Sequence, residues 1–188
     1  DPLADGPIIQ QSSQQALDNG MTLQLLFEQL SIIKSEVKIP ILLMGYYNSI
    51  LQFGIEAFSQ ECQKSGVSGL IIPDLPLNIY LSELKEHFIK NNLHNILLIT
   101  PQTTEERIRE IDNHSSAFMY AVSSASTTGS KKRITDSTGF LKKLNQMNLT
   151  NPILTGFNIS DRKAYLHVCN YTRGAIIGSS FIQALSKP

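Results

Sequence analysis

The sequence predicts an α/β protein built on parallel strands. Short apolar runs alternate with segments whose apolar residues recur at helical spacing. The runs are continuous, which is typical of parallel strands covered by helices on both faces. About six strand-helix pairs follow one another, which favours a TIM (β/α)8 barrel over an open sheet. A complete barrel has about 250 residues, and this chain has 188. We therefore expect 1–188 to be a single, incomplete barrel domain with about strands 3 to 8, truncated at the N-terminus and also at the C-terminus.

The first half of the chain contains three predicted helices and three predicted strands. Thr22 can cap the first helix, and Gly66 can end the second as a C-terminal glycine. The helical stripes are Leu23, Leu26, Phe27, Leu30 and Ile33; then Ile55, Phe58 and Cys62; then Leu81, Leu84 and Phe88. The apolar runs predict strands at residues 41–44, 70–72 and 96–99.

The second half continues the alternation. Thr103 and Glu106 form a capping-box pattern, and Ser160 is a candidate cap for a later helix. The helical stripes are Ile108 and Ile111; then Phe140, Leu144 and Met147; then Ala164 and Val168; then Phe181, Ile182 and Leu185. The apolar runs predict strands at residues 117–122, 152–155 and 174–177.

Composition excludes several classes of partner. The 16 basic and 16 acidic residues cancel, so no net field attracts nucleic acid or an anionic membrane. No apolar run reaches the roughly 18 residues of a membrane span. The two cysteines form no CxxC pattern and suit a reducing compartment. The four histidines share no metal-ligand spacing, so we predict no metal site.

Two glycine-containing turns follow predicted strands and are candidate phosphate sites. Gly178-Ser179-Ser180 comes after the last strand and opens a helix, whose free N–H groups attract anions. Gly156-Phe157-Asn158 follows the preceding strand and would form the other half of the cradle. Barrels often hold phosphate on the loops of their last two strands. A tight strand-to-helix turn remains the alternative interpretation of either motif.

Three further side chains are candidates for chemistry. Asp5 lies in a loop framed by glycine and proline, where a buried carboxylate can exchange a proton with a substrate. A loop aspartate that bonds its own backbone is the alternative, and spacing alone favours it. Tyr46 and Tyr120 lie at or just past strand ends, where they are either core aromatics or walls for a flat ligand.

Five motifs together resemble one known family. They are Asp1-Pro2-Leu3-Ala4-Asp5-Gly6-Pro7, Leu43-Met44-Gly45-Tyr46-Tyr47-Asn48, Pro73-Asp74-Leu75-Pro76, Gly156-Phe157-Asn158-Ile159-Ser160 and Gly178-Ser179. In order and approximate spacing they resemble tryptophan synthase alpha subunits over nearly the whole chain, and the first motif is highly specific. The resemblance implies a barrel fold and retro-aldol cleavage of indole-3-glycerol phosphate to indole and glyceraldehyde 3-phosphate.

The same resemblance implies roles for individual residues. Asp5 would be the catalytic carboxylate, facing the indole N–H and managing its proton. A second catalytic group, a glutamate at the end of the preceding strand, is not in this sequence. The substrate-binding residues would be Tyr46, Ile71, Ile99, Tyr120, Thr128 and Gly129, the last two on a loop that closes over Asp5. The phosphate-binding residues would be Gly156, Asn158, Gly178 and Ser179.

The resemblance also implies a partner. Asp1, Pro2 and Asn48 fall on segments that the family turns toward a beta subunit. We expect an alpha2beta2 heterotetramer in the cytoplasm, with pyridoxal phosphate in the beta subunit and no cofactor in this chain. No nucleic acid and no membrane partner is expected.

Departures from the family pattern leave a second interpretation open. The family usually has glycine where this chain has Asn158 and Ser126, and a basic residue where it has Ser124. These changes and the absent glutamate bear on turnover rather than on the fold. The alternative is a catalytically weak or inactive alpha-like subunit that docks on the beta subunit and activates it allosterically.

Overall fold

In the part of the chain that the structure describes, seven short strands pair in parallel and form two sheets. The computed structural model describes residues 5–122, 138–156 and 159–186. One sheet has the order β1-β2-β3, the other β4-β5-β6-β7, and every pairing in both is parallel. Their bounds are β1 Ile41–Met44, β2 Val67–Ile71, β3 His94–Ile96, β4 Leu98–Ile99, β5 Met119–Val122, β6 Ile153–Gly156 and β7 Gly174–Ala175. Because each of these pairings is parallel, the parallel α/β prediction is confirmed.

Except between β3 and β4, helices separate these strands. They are α1 Pro7–Asp18, α2 Leu23–Ile33, α3 Tyr47–Phe53, α4 Ile55–Ser65, α5 Leu77–Ile79, α6 Lys85–Lys90, α7 Glu105–His114, α8 Thr138–Gln146, α9 Arg162–Cys169 and α10 Ser179–Leu185. A π-helical turn, Tyr80–Leu84, lies between α5 and α6. Among the helices in the described ranges, none combines the length and the apolar character that crossing a membrane requires.

The chain divides into two compact units. The smaller unit is Leu17–Leu97, and the larger contains Asp1–Ala16 together with Leu98–Pro188. The smaller unit therefore holds the three-stranded sheet and the larger unit the four-stranded sheet. The expectation of a single domain stays a prediction.

An aromatic cluster forms part of the smaller unit's core. The rings of Phe27, Phe53 and Phe58, from α2, α3 and α4, meet edge to face with centroids 5.5 to 6.0 Å apart. The predicted helix signals are confirmed here. Thr22 caps α2 by accepting a hydrogen bond from the Leu25 N–H at 3.1 Å, and Gly66 ends α4 in the left-handed region with φ of 83°.

Cys62 lies on the buried face of α4. Its side chain is fully buried, and burial, with a smaller contribution from the charge of Glu61, raises the pKa of its thiol to about 12. Since the thiolate is the reactive form, this cysteine is a core residue with little reactivity in the folded protein. Cys169, on α9, is partly exposed.

Only the strand predicted at 41–44 has its expected bounds. The strands predicted at 70–72, 117–122 and 152–155 are observed at Val67–Ile71, Met119–Val122 and Ile153–Gly156. The strand expected at 96–99 is two short strands, β3 and β4, with Leu97 between them, and each pairs within a different sheet. The strand expected at 174–177 ends at Ala175, although Ile176 N–H still donates to the Thr155 carbonyl at 2.8 Å. Apolar runs therefore located these strands, while hydrogen bonding sets their ends.

Two predicted helix caps are wrong by one residue. Thr104 caps α7, because the Thr103 hydroxyl already accepts from the Thr100 N–H at 2.9 Å in the preceding turn. Asp161 rather than Ser160 caps α9 and accepts from the Ala164 N–H at 2.7 Å. An ionised carboxylate is a stronger acceptor than a hydroxyl, which explains the second difference.

A buried carboxylate ties α7 to the loop before β6. Asp112 is only 6% exposed, and its oxygens accept from the Thr150 N–H at 2.7 Å and the Asn151 N–H at 2.8 Å. The Asn151 amide also donates to the Asp112 backbone carbonyl at 2.7 Å. Burial alone would raise the pKa of Asp112, but these hydrogen bonds together lower it.

We expect Asp112→Ala to lower the free energy of unfolding by about 1.5–3 kcal/mol, because the Thr150 and Asn151 N–H groups both lose a charged, buried acceptor. Since the folded-state pKa is lowered, the contribution of Asp112 is fully present above about pH 4, the ordinary value. It is lost as the pH falls toward the lower folded pKa. Urea unfolding at several pH values measures both effects. Glu110→Gln, on the exposed side of α7, is the control, and an equal loss in both variants would contradict the assignment.

Candidate functional site

The candidate site of the larger unit lies at the carboxyl ends of its parallel strands, where barrel proteins place their chemistry. Tyr120 on β5 is its centre and is 6% exposed. The register pairs Tyr120 with Leu98 on β4 and with Leu154 on β6. Paired residues of parallel strands share a face of the sheet, so Leu98, Tyr120 and Leu154 lie side by side on one face.

Gly156, the last residue of β6, makes room for this tyrosine. A Cβ atom built on Gly156 would overlap the Tyr120 hydroxyl and lie 2.5 Å from Cε2 and 2.7 Å from Cζ of the ring. Cβ atoms do not approach other heavy atoms so closely. The glycine is therefore required by the close approach of Tyr120, whatever else it binds.

Asp5 belongs to the same site. It is half-buried just before α1, and the Gln10 side chain donates to its backbone carbonyl at 2.6 Å. The Asp5 carboxylate acts electrostatically on the Tyr120 phenol. Burial first and the Asp5 carboxylate second raise the pKa of the Tyr120 phenol to about 12. The phenol therefore stays protonated at neutral pH and can donate a hydrogen bond next to a carboxylate.

The glycine-serine turn lies at the start of α10. Gly178 is the N-terminal cap residue of this helix, and its carbonyl accepts from the Phe181 N–H at 2.9 Å. The Ser180 hydroxyl donates to the Ile159 carbonyl at 3.4 Å, which joins the turn to the loop after β6. On the other side, a Cβ on Gly178 would lie 3.6 Å from the Ile9 side chain of α1. Gly156 thus ends β6, and Gly178 follows β7, the neighbouring strand of the same sheet.

Three predicted site residues lie in the smaller unit. Ile71 ends β2, pairs with Met44 and accepts from the Gly45 N–H at 3.1 Å. Tyr46, half-buried, is the cap residue of α3, and Asn48 is exposed in its first turn. All three lie at or just after the carboxyl ends of β1 and β2, as expected.

The remaining predicted residues divide into two groups. Ile99 is fully buried on β4, and the register pairs it with Ala121 rather than with Tyr120. Its substrate-lining role stays a prediction. The others lie outside the described residues: Asp1, Pro2, Ser124, Ser126, Thr128, Gly129 and Asn158.

Leu98 and Leu154 were missed by the sequence analysis. Both are partly exposed and flank Tyr120 on its face of the sheet. Each belongs to an apolar run, and only the register between strands distinguishes such a leucine from its core neighbours. Within the described ranges, no three His, Cys, Asp or Glu residues are grouped so that they could hold a metal ion.

Comparison with known proteins gives the family. The family model for the tryptophan synthase alpha chain matches residues 1–188. The chain belongs to the tryptophan synthase alpha chain family. It is 53% identical over 188 residues to the tryptophan synthase alpha chain of Flavobacterium psychrophilum, covering all of this chain and 74% of that one. The corresponding protein of Flavobacterium johnsoniae is 52% identical over the same length, again with 74% of it covered.

Solved structures of the family have the same fold. A mutant tryptophan synthase alpha-subunit from Pyrococcus furiosus superposes with a TM-score of 0.87 at 29% identity, over 100% of this chain and 75% of that one. A tryptophan synthase complex from the same organism gives a TM-score of 0.85, also at 29% identity, over 98% and 74%. The predicted fold class is confirmed: the chain has an α/β fold that forms part of a TIM (β/α)8 barrel.

Proposed function

We propose that the chain is a carbon–carbon lyase that cleaves indole-3-glycerol phosphate into indole and glyceraldehyde 3-phosphate by a retro-aldol reaction. Family membership supports this reaction class. The observation that carries the proposal is the placement of Asp5, Tyr120 and Gly156 together at the strand ends of the larger unit. These residues come from three distant parts of the sequence.

Asp5 is the proposed catalytic residue. Its carboxylate faces the indole N–H and accepts that proton. It also stabilises the positive charge that develops on the ring nitrogen when the ring becomes an indolenine. Tyr120 remains a neutral phenol beside it, because burial and the Asp5 charge both oppose its ionisation. Leu98 and Leu154, which are paired with Tyr120, supply apolar side chains that suit an indole ring. Tyr46, Ile71, Ile99, Thr128 and Gly129 are the further proposed substrate residues.

We place the phosphate at the two glycine turns of the larger unit, on Gly156 and Asn158 after β6 and on Gly178 and Ser179 at the start of α10. Two features support this placement. The first N–H groups of a helix have no intrahelical acceptor, and the bond from Ser180 to Ile159 joins the two loops.

We expect Ser179→Asp to abolish binding of glycerol phosphate, because a carboxylate replaces a hydroxyl against an anion. The loss should exceed about tenfold in affinity, since like charges brought together in a protein cost more than 1.4 kcal/mol. Calorimetry with glycerol 3-phosphate measures it. Ser186→Asp, at the far end of the same helix, is the matched control. Unchanged affinity in Ser179→Asp would remove the turn from the site.

We further propose a beta subunit as the partner, in an alpha2beta2 assembly, with Asp1, Pro2 and Asn48 on the contact face. This chain needs no cofactor of its own, and pyridoxal phosphate belongs to the beta subunit. A cytoplasmic location fits a biosynthetic enzyme whose two cysteines, one buried and one partly exposed, form no disulfide.

Indole release by the purified alpha chain, with and without beta chain, tests the proposed function. Formation of indole and glyceraldehyde 3-phosphate in equal amounts is the expected result. Stimulation of the beta reaction with no indole formed would instead identify a docking subunit without turnover. A chain that gives no cleavage and no stimulation would contradict both interpretations.

A further inference from the structure

The turn that starts α3 carries two residues of the proposed function. Tyr46 is a proposed substrate residue, and Asn48 is a proposed contact with the beta subunit. The start of α3 provides no side-chain cap: Tyr46 has the extended backbone of a cap residue, with φ of −102° and ψ of 145°, but makes no side-chain capping hydrogen bond. The helix has only seven residues, so its own hydrogen bonds hold the turn weakly.

Asp74, from the loop after the next strand, supplies the missing cap. Its Oδ1 accepts from the Tyr47 N–H at 2.9 Å, across 27 residues of sequence. The Asp74 loop is itself well anchored. Leu75 N–H donates to the Ile72 carbonyl at 3.2 Å, and the Leu75 and Leu77 side chains are buried. A fixed carboxylate on one loop thus orients a peptide N–H on another.

Glu83 holds the same turn at a second point. The Tyr47 hydroxyl donates to Glu83 Oε2 at 3.0 Å. Glu83 lies in the π-helical turn, which is closed by the bond from Lys85 N–H to the Tyr80 carbonyl and fixed by the buried side chains of Tyr80 and Leu84. Such turns are rare and are often found at functional sites. Partial burial and the bond to Glu83 both raise the pKa of the Tyr47 phenol, so it remains a donor at neutral pH.

We propose that Asp74 and Glu83 are positioning residues, which hold the Tyr46–Asn48 turn through Tyr47 and thereby orient Tyr46 toward substrate and Asn48 toward the partner. The inference rests on the proposed function, because that function assigns the roles of Tyr46 and Asn48. Two carboxylates from separate segments accept hydrogen bonds from Tyr47, one from its backbone N–H and one from its hydroxyl. Substrate binding and partner docking therefore share one support.

The test uses the alpha chain with its beta chain. Asp74→Ala should raise both the KM for indole-3-glycerol phosphate and the half-saturating beta concentration about three- to tenfold, the range expected when a helix cap is lost. The kcat at saturating substrate and partner should stay near that of the parent protein. Asp74→Asn keeps an acceptor oxygen and should restore most of both values. Tyr47→Phe removes the bond to Glu83 alone and should give a smaller rise.

Thr22→Ala is the matched control, since it removes a cap from α2 in the same unit. It should lower the melting temperature as Asp74→Ala does, without changing KM or half-saturation. Equal shifts in the two variants, or no rescue by Asp74→Asn, would overturn the positioning role.

Hydrogen exchange of the Tyr47 amide separates this inference from the proposed function, because it needs neither substrate nor partner. Exchange should be faster in Asp74→Ala and normal in Asp74→Asn. Normal exchange in Asp74→Ala would refute the inference. Faster exchange of the Tyr47 amide in Asp74→Ala would support the role of Asp74 in holding the turn. If Asn48→Ala at the same time left beta stimulation unaltered, Asn48 would be removed from the docking face.

Discussion

Asp5→Asn should reduce indole release about 10²–10⁴-fold, the usual contribution of a positioned acid–base group. An amide cannot accept the indole proton, and it cannot offset the positive charge that develops on the ring nitrogen. The change is nearly isosteric, and the hydrogen bond from Gln10 goes to the Asp5 backbone, so the loop should keep its shape. Steady-state assays of indole formation measure the loss.

The matched control is stimulation of the beta reaction by the same variant, which should persist because the proposed docking residues, Asp1, Pro2 and Asn48, do not include Asp5. The Tyr120 phenol offers a second readout. Removing the Asp5 charge should lower the phenol's pKa below about 12, while burial keeps it above the ordinary value. Full lyase activity in Asp5→Asn would overturn the catalytic assignment.

Gly156→Ala should be the most damaging single-methyl change at the site. The new Cβ overlaps the Tyr120 hydroxyl and presses on a ring that is 6% exposed, so the ring must leave its position. Overpacking of this kind costs roughly 1–3 kcal/mol of stability. A ring displaced by about 1 Å can cost about 100-fold in kcat/KM. Urea unfolding and the indole assay test the two effects separately.

Gly139→Ala is the control for this prediction, because a Cβ there meets nothing within 4 Å. Gly139 lies in the first turn of α8, so alanine there should leave stability unchanged or raise it slightly, as alanine favours helices over glycine. The double variant Gly156→Ala, Tyr120→Leu should recover much of the stability, since the shorter side chain leaves space for the methyl group. Additive losses in the double variant would show that the glycine acts independently of Tyr120.

The sequence predicted the fold well where the signal is local. Thr22 and Gly66 mark the ends of their helices because capping depends on residues within one turn. Where two neighbouring residues can both cap, local pattern does not decide between them. Thr103 and Thr104 are an example, because the first is already engaged by the Thr100 N–H in the preceding turn.

The site was predicted less completely, because its contacts join distant segments. Their positions in loops and at strand ends marked Asp5, Tyr120 and Gly156 as candidates, and the resemblance implied their roles, but spacing gave no reason for them to meet. Their proximity depends on the register of β5 with β6 and on the path of the chain before α1. The hydrogen bonds of Tyr47 to Asp74 and Glu83 were not predicted for the same reason, since 27 and 36 residues separate the partners.

The buried thiol of Cys62 is an internal probe of local opening in the smaller unit. A thiol reagent can reach Cys62 only when α4 leaves the sheet, because the side chain is fully buried and its raised pKa suppresses the reactive anion. The rate of labelling at Cys62 therefore reports how often this part of the chain opens, while Cys169 reacts without such opening. Substrate or beta chain should slow the labelling of Cys62 only if the opening of α4 is thermodynamically linked to occupancy of the proposed site.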